Sequence, residues 1–354
     1  MSTQSTSPII FFRQFKLFEN LHKSLNTFSD KIIKTSRFYG SSKSLMILDL
    51  IEYHNEIILF VSNQKAVNEF EVELKLLGLD EYLVVIDELT PQMLQERLTD
   101  LSNKKKFILI TTYNILEVKL PKKEILAENT TTISLGSGTS YNDLVEYLNL
   151  LLYQKEKFVE SQGDYSQRGS IIDFWSYSEK MPIRVEYDGD FIESIRYFDP
   201  ESQRSIETVE LATIAAPIHQ KVENENESLE TTKIFEYFEN PLFIGVKSEI
   251  GSVKWKEENP FIEKPIQEKT EVNDGLYEDD FPDVVLEEIV EELSSEKNSL
   301  DYFDDIIQQS NGKWILEENF IGDDSIIKFN IKEPPTIQSN YERLFSVITQ
   351  YTSG

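Results

Sequence analysis

The sequence predicts an α/β protein: a parallel-sheet domain followed by a small α+β domain built on an antiparallel β-meander. Three observations carry this reading. Strand and helix patterns alternate from Ile32 to Thr112, and the strands Ile57–Val61, Leu83–Ile86 and Phe107–Thr112 are continuous apolar runs. Such strands belong to a parallel sheet covered on both faces. The period then changes within residues 158–206, where Ile183, Val185 and Tyr187 alternate with Arg184 and Glu186, so that one face is buried and the other wet. Finally, 354 residues are too many for one ordinary domain. The expected partition is 1–132 for the first part of the α/β domain, 133–217 for the small domain and 218–354 for an acidic segment leading to a linker.

In chain order, residues 8–30 read as an amphipathic helix, with Phe11, Phe15, Phe18, Leu21 and Leu25 at spacings of three and four. Ile32-Ile33 is a short strand. Ser44–Tyr53 is a helix with Leu45, Leu48 and Ile51 on one side. Gln64–Leu77 is a helix stopped by Gly78, and Pro91–Leu101 a helix with proline in its first turn. Ile133–Leu135 is a strand, and Gly136-Ser137-Gly138 turns into the helix Asn142–Tyr153. In the meander, Gly163-Asp164 is a turn and Arg168-Gly169 opens the apolar run Ile171–Trp175. Asp188-Gly189 is the strongest hairpin signal in the chain, and Phe191–Phe198 is the return strand, ending at Asp199-Pro200. Beyond Pro217 the chain turns acidic. There Phe243–Val246, Trp314–Leu316 and Ile326–Ile331 read as strands, Val284–Leu293 as an acidic helix, Pro334-Pro335 as a joint and Tyr341–Tyr351 as a helix.

Composition excludes several function classes. The net charge of −28 repels phosphate backbones, so this polypeptide alone is expected to bind DNA weakly or not at all. There is no apolar run of about 18 residues, hence no membrane span, and the N-terminus lacks the pattern of a signal peptide. The absence of cysteine excludes thiol chemistry and fits a cytoplasmic location. His22, His54 and His219 lie far apart in sequence, and no His/Cys/carboxylate spacing suggests a metal site; no cofactor is expected. Carboxylate pairs such as Asp279-Asp280 and Asp304-Asp305 read as solvated charge runs rather than acid/base pairs.

Two segments imitate a nucleotide site. Arg37-Phe38-Tyr39-Gly40-Ser41-Ser42-Lys43-Ser44 lies between a strand and a helix, where a phosphate loop G-x-x-x-x-G-K-[ST] would lie. Lys43 and Ser44 are in place, but Arg37 and Ser42 replace both glycines, which crowds the backbone cradle that phosphates require. Gly40, Ser42, Lys43 and Ser44 are therefore expected to form a degenerate nucleotide site. Val84-Val85-Ile86-Asp87-Glu88 mimics the strand that holds Mg²⁺ in such enzymes.

The arginines of the meander, Arg168, Arg184, Arg196 and Arg204, suit bidentate recognition of carboxylates, or else plain surface ion pairs. The segment "RGSIIDFW … PIRVEYDGDFIESIRYFDPESQRS" resembles the second domain of the transcription-repair coupling factor family, a domain also present in the excinuclease B protein. "ILITTYNILEVKLPKKEIL" at 108–126 resembles the first domain of the same family, which extends the likeness over residues 40–217.

The resemblance implies a degenerate RecA/helicase-like sheet interrupted by the small domain, with residues 218–354 returning beside the first part. It implies a docking surface for the excinuclease A protein, without catalytic residues. Arg168 and Arg184 match family positions implicated in that grip, and Arg196, Tyr187 and Asp188 fall on the same surface. Alternation would bury Tyr187, and Asp188 stands where the family more often has a second aromatic. It also implies contacts with further domains of a full-length coupling factor, and through them with RNA polymerase and DNA. The alternatives are an ATP hydrolase using Lys43 and Ser44, or an intramolecular module that restrains a motor.

Overall fold

The computed structural model describes residues 18–27, 31–218, 230–261, 299–318 and 325–329. Phe11 and Phe15, His219, Asp279-Asp280, the helix Val284–Leu293, Pro334-Pro335 and the helix Tyr341–Tyr351 lie outside them.

The first stretch alternates as the apolar periods demand: α1 (Glu19–Thr27), β1 (Ile32–Thr35), α2 (Ser42–Leu50), β2 (Glu56–Val61), α3 (Gln64–Leu76), β3 (Leu83–Ile86), α4 (Pro91–Asn103) and β4 (Phe107–Thr112). Local chemistry sets the helix ends. The Asn63 side chain accepts from the Ala66 N–H at the start of α3, and Gly78, with φ +77°, follows its end. Thr90 caps α4 by accepting from the Met93 N–H, with Pro91 in the first turn.

The short strand β5 (Leu120–Pro121) and α5 (Lys123–Glu128) lead to β6 (Thr130–Ser134). Next come α6 (Tyr141–Leu150), β7 (Gln154–Lys155), β8 (Asp164–Arg168), β9 (Ile171–Phe174), β10 (Ile183–Asp188), β11 (Phe191–Phe198), β12 (Ser205–Val209) and β13 (Leu211–Ala215). The remaining described elements are β14 (Thr231–Thr232), β15 (Leu242–Val246), α7 (Lys247–Ile250), α8 (Ser299–Gln309) and β16 (Lys313–Glu317).

The architecture is a parallel α/β sheet interrupted by an antiparallel one. The parallel sheet has the order β1-β16-β15-β2-β4-β3. The last two strands in sequence thus lie between the first two, and β16 pairs with both β1 and β15. Both faces are buried. Ile58, Phe60, Leu109, Phe243, Trp314 and Leu316 point to one side, with α4 and α8; Ile57, Leu59, Ile108, Ile244 and Ile315 point to the other, with α1, α2 and α3. Trp314 stacks on Phe243 at 4.5 Å and on Phe60 at 5.5 Å. Where β16 begins, Gly312 is required for close approach: a Cβ there would stand 1.9 Å from the Pro241 carbonyl oxygen.

The second sheet has the order β12-β11-β10-β9-β8-β7. Ile172, Phe174, Ile183, Val185, Tyr187 and Ile195 form its buried face against Leu144 and Leu148 of α6. Helix α6 begins with a reciprocal capping box between Ser140 and Asp143. The chain enters this unit on β6 and leaves on β13, and these two strands pair antiparallel from Thr130↔Ala215 to Ser134↔Leu211. Buried Gln95 of α4 holds the exit: its amide donates to the Ala216 carbonyl at 2.6 Å and its oxygen accepts from the Ile218 N–H at 3.0 Å.

Some expectations shift. Asp188 stays in its strand, paired with Phe191, and the two-residue loop is Gly189-Asp190. The first loop position has φ +62°, which glycine takes freely, so Gly189 fixes the turn one residue later than the Asp188-Gly189 signal. A bulge opposite Glu186 and Tyr187 shifts the register and leaves Glu193 unpaired. Helix α6 ends at Leu150, short of Tyr153, because Leu152 adopts φ +62°. Of the expected strand Ile326–Ile331, the described part makes only an isolated bridge between Ile327 and Thr35.

Candidate functional site

The solvent face of the meander collects the arginines. Cross-strand register sets Ser166, Asp173, Arg184, Arg196 and Thr208 in one row across five strands, with Arg168, Ile171, Glu186 and Ser194 in the adjacent row. Asp173 is the centre of the site. Its carboxylate is 0 % exposed although it lies on the wet face, because two guanidiniums cover it. Arg184 grips it bidentately, Nε to Oδ1 at 2.7 Å and Nη2 to Oδ2 at 2.9 Å, while Arg168 Nη2 donates to Oδ2 from the neighbouring strand. Arg184 also donates to the Gln203 carbonyl at 3.2 Å and lies 4.7 Å over the buried Phe198 ring. The hydrogen bonds to Asp173 hold the Arg184 guanidinium still more firmly protonated.

The two arginines therefore differ in kind. Arg184 is 15 % exposed and is built into the sheet, whereas Arg168 is 43 % exposed and commits one N–H to Asp173. Its guanidinium also lies 5.6 Å over the half-exposed Phe158 ring. Arg196 donates to Glu186 through Nη2, and its Nε is buried without a hydrogen-bond partner. Arg204 and Asp188 are exposed.

Tyr187 lies on the buried face rather than with the arginines. It is 4 % exposed, packs edge-on to Tyr141 at 5.5 Å and aims its hydroxyl at the Ser140 carbonyl, 3.4 Å away. Burial pushes its phenol up to about 12. Strand alternation turns this residue inward, so it offers nothing to a surface ligand.

The segment Arg37–Ser44 borders a cavity of about 310 Å³ lined in part by Arg37, Gly40, Lys43, Glu249 and Glu317. Carboxylates of the chain itself occupy the groups that would meet phosphate. Lys43 pairs with Glu317 at 2.8 Å, both nearly buried. The Ser44 hydroxyl donates to Glu73 at 2.5 Å, and the Phe38 N–H donates to Glu317. Gly40 has φ +53° and Ser42 is turned onto the Tyr39 backbone.

The Asp87-Glu88 pair does not line this cavity. It follows β3, three strand spacings or about 14 Å from β15, whose end is the nearest strand in the lining. Asp87 accepts from Gln64 instead. Sequence patterns do not single out Glu317 and Glu249, although Trp314-Ile315-Leu316-Glu317-Glu318 has the same apolar-then-acidic order as Val84–Glu88. Only the strand order reveals which of the two segments faces Lys43. Elsewhere His22 hydrogen-bonds to Asp49 at 2.5 Å, and among the described residues no three His or carboxylate groups are placed to hold a metal.

Residues 131–219 match the UvrB interaction domain family. They contain the whole meander, α6 and the paired strands β6 and β13. The chain is 28 % identical over 200 residues to the transcription-repair-coupling factor of Staphylococcus haemolyticus (strain JCSC1435), covering 54 % of this chain and 15 % of that protein. It is 35 % identical over 124 residues to that of Staphylococcus aureus (strain USA300), covering 34 % of this chain and 10 % of the relative. With that of Myxococcus xanthus it shares 32 % over 101 residues, covering 28 % of this chain and 8 % of the relative. The chain thus resembles part of these coupling factors and spans 15 % or less of their length. Among the described residues no helix is long and apolar enough to cross a membrane.

Two measurements check this geometry in the UvrB interaction domain and the cavity. Arg184→Ala removes the bidentate partner of a fully buried carboxylate, leaving only Arg168 on it, and is expected to cost about 3–5 kcal/mol in urea unfolding, whereas Arg168→Ala leaves Asp173 its bidentate partner and costs less, about 1.5–3 kcal/mol for one charged hydrogen bond. Equal losses would contradict the assigned roles. Burial raises the Glu249 pKa above 4.5, beside Glu317 and despite Lys43. A raised carboxylate pKa favours the protonated native state, so this contribution is complete below the ordinary value and is lost as pH rises through the native one. Glu249→Gln is therefore expected to raise the melting temperature at pH 7.5 and to leave it nearly unchanged at pH 4; an equal gain at both values would refute this.

Proposed function

We propose that this chain is a non-catalytic module of a transcription-coupled DNA repair factor that recruits the excinuclease A protein to sites of stalled RNA polymerase. The observation that carries the reading is the exposed Arg168 guanidinium, fixed by Asp173 on the open face of a UvrB interaction domain. A guanidinium held at one oxygen keeps other N–H groups for a partner carboxylate, and its orientation is settled before the partner arrives. Arg184 acts from beneath, by holding the carboxylate that aims Arg168. Arg196 and Asp188 complete the face. Full-length relatives would supply the remaining domains that meet polymerase and DNA, since a chain of net charge −28 gains little from phosphate contacts. The setting is the cytoplasm.

The carboxylates already paired with Lys43 and Ser44 support the reading of a module without hydrolase activity. An incoming triphosphate would have to displace Glu317 from Lys43 and Glu73 from Ser44, and would meet Glu249 as well. Titration with Mg-ATP is expected to give no saturable binding below about 1 mM, a concentration equivalent to about 4 kcal/mol. Tight binding would revive the hydrolase reading.

The docking test compares wild type with Arg168→Glu for binding to purified excinuclease A protein at moderate salt, with circular dichroism on both. Arg168 is the informative position because it is 43 % exposed and Asp173 keeps its bidentate partner Arg184 without it, and circular dichroism separates a lost contact from damage by a second carboxylate beside Asp173. A loss of about ten-fold or more is expected for a charge reversal at a contact. Equal binding would move the contact off this face, and no binding by wild type would sink the recruitment reading.

A further inference from the structure

The docking face carries an aromatic side chain that its charged groups leave unused. Phe191 opens β11, pairs across the hairpin with Asp188 and is 66 % exposed. Register fixes which way it faces. Tyr187 and Ile192 are paired and turn into the core, so their neighbours Asp188 and Phe191 turn to the opposite face, that of Arg184, Glu186 and Arg196. Phe191 lies about 7 Å along the strands from the Glu186–Ser194 row. From Arg168 it is three strand spacings, about 14 Å, across the sheet. Both therefore fit within one standard interface of about 800 Å² per partner.

The other aromatics of this region are committed. Tyr187 packs on Tyr141, Phe198 lies under Arg184, and Phe158 lies under Arg168 and Lys157. Among the described residues Phe191 enters no ring stack and no cation–ring contact. A two-residue hairpin holds it on a backbone that needs no reordering, with only two side-chain torsions to fix on binding. Exposing so large an apolar side chain at a sheet tip gains the fold nothing, whereas a rigidly held aromatic that shares a face with arginine suits the anchor of an interface.

We infer that Phe191 is the apolar anchor of the docking face. Its complement is a surface of the excinuclease A protein that presents an apolar pocket with a carboxylate to one side for Arg168. This rests on the recruitment reading above and adds to it a residue and a partner chemistry. Asp188 and Glu186 flank the ring and disfavour a second carboxylate at the tip, so the pocket that receives Phe191 is neutral or basic at its rim.

The test is equilibrium binding of the full chain to purified excinuclease A protein, comparing wild type, Phe191→Ser, Phe191→Trp and Leu76→Ser. Leu76 is 82 % exposed on α3, outside the UvrB interaction domain, and controls for general stickiness. Phe191→Ser is expected to weaken binding about ten-fold or more, Phe191→Trp to retain most of it and Leu76→Ser to match wild type. All four should unfold at similar urea concentrations, since neither position is buried. Wild-type binding with an unchanged Phe191→Ser would overturn this inference while leaving recruitment intact. Equal losses in Phe191→Ser and Leu76→Ser would overturn it as well, as the signature of non-specific adhesion. No binding by wild type would overturn both readings together.

Discussion

The structure depends on β16 entering the parallel sheet between β1 and β15. Its residues come last among the described strands, yet they pair with the first, Ile33 against Ile315 and Thr35 against Glu317. Without this strand β1 would have no neighbour in the sheet, and the Trp314 stack on Phe60 and Phe243 would be lost. The long excursion between β4 and β15 is tolerable because loop-closure entropy grows slowly with length. The entry and exit of the inserted unit are also bonded to each other as β6 and β13. The same strand that completes the sheet carries Glu317 to Lys43, so closing the fold also pairs this lysine.

A second carboxylate plays an analogous part on the meander with the opposite result. Asp173 is fully buried by its partners, so the pair with Arg184 has to satisfy it completely, and it does so through two oxygens. That leaves Arg168 as the more lightly held guanidinium. The two arginines look interchangeable in sequence, each on a strand beside alternating apolar residues. Their exposures separate them into a side chain built into the sheet and one open to solvent. A binding loss on removing Arg184 would confound a broken contact with a broken support.

Much of the fold was legible because period and burial agree. The strands at 83–86 and 107–112 match their apolar runs to the residue, and Asn63, Thr90 and Gly78 mark helix ends by their own chemistry. Alternation placed Tyr187 inside, against the surface role that the resemblance implied for it. What could not be read was order in space. Val84–Glu88 and Trp314–Glu318 are equivalent as patterns, and only the sheet decides that the second lies next to the strand leading to Lys43. The solvent-face row was hidden for the same reason. Nothing in the spacing of Asp173, five residues after Arg168 and eleven before Arg184, shows that a single carboxylate bridges both. Phe191 was read as the start of a strand, and its outward direction follows from the bulge at Glu193, which no local signal announces.

The two cationic sites show how one kind of pair yields opposite outcomes. Lys43 and Glu317 are 12 % and 8 % exposed, so their attraction acts in a poorly screened setting, and a competing anion must first separate them and then bury its own charge. Arg168 is itself 43 % exposed although its carboxylate is fully buried, so a partner oxygen can be added at its remaining N–H groups without taking Asp173's away. In a chain carrying an excess of 28 negative charges, cationic groups are scarce, and several of the exposed ones, such as Lys23, Lys65, Lys75 and Lys247, serve neighbouring carboxylates. A guanidinium that is oriented but unsaturated, placed on a face with an unpacked aromatic, is therefore the feature of this surface that ordinary folding stability does not account for.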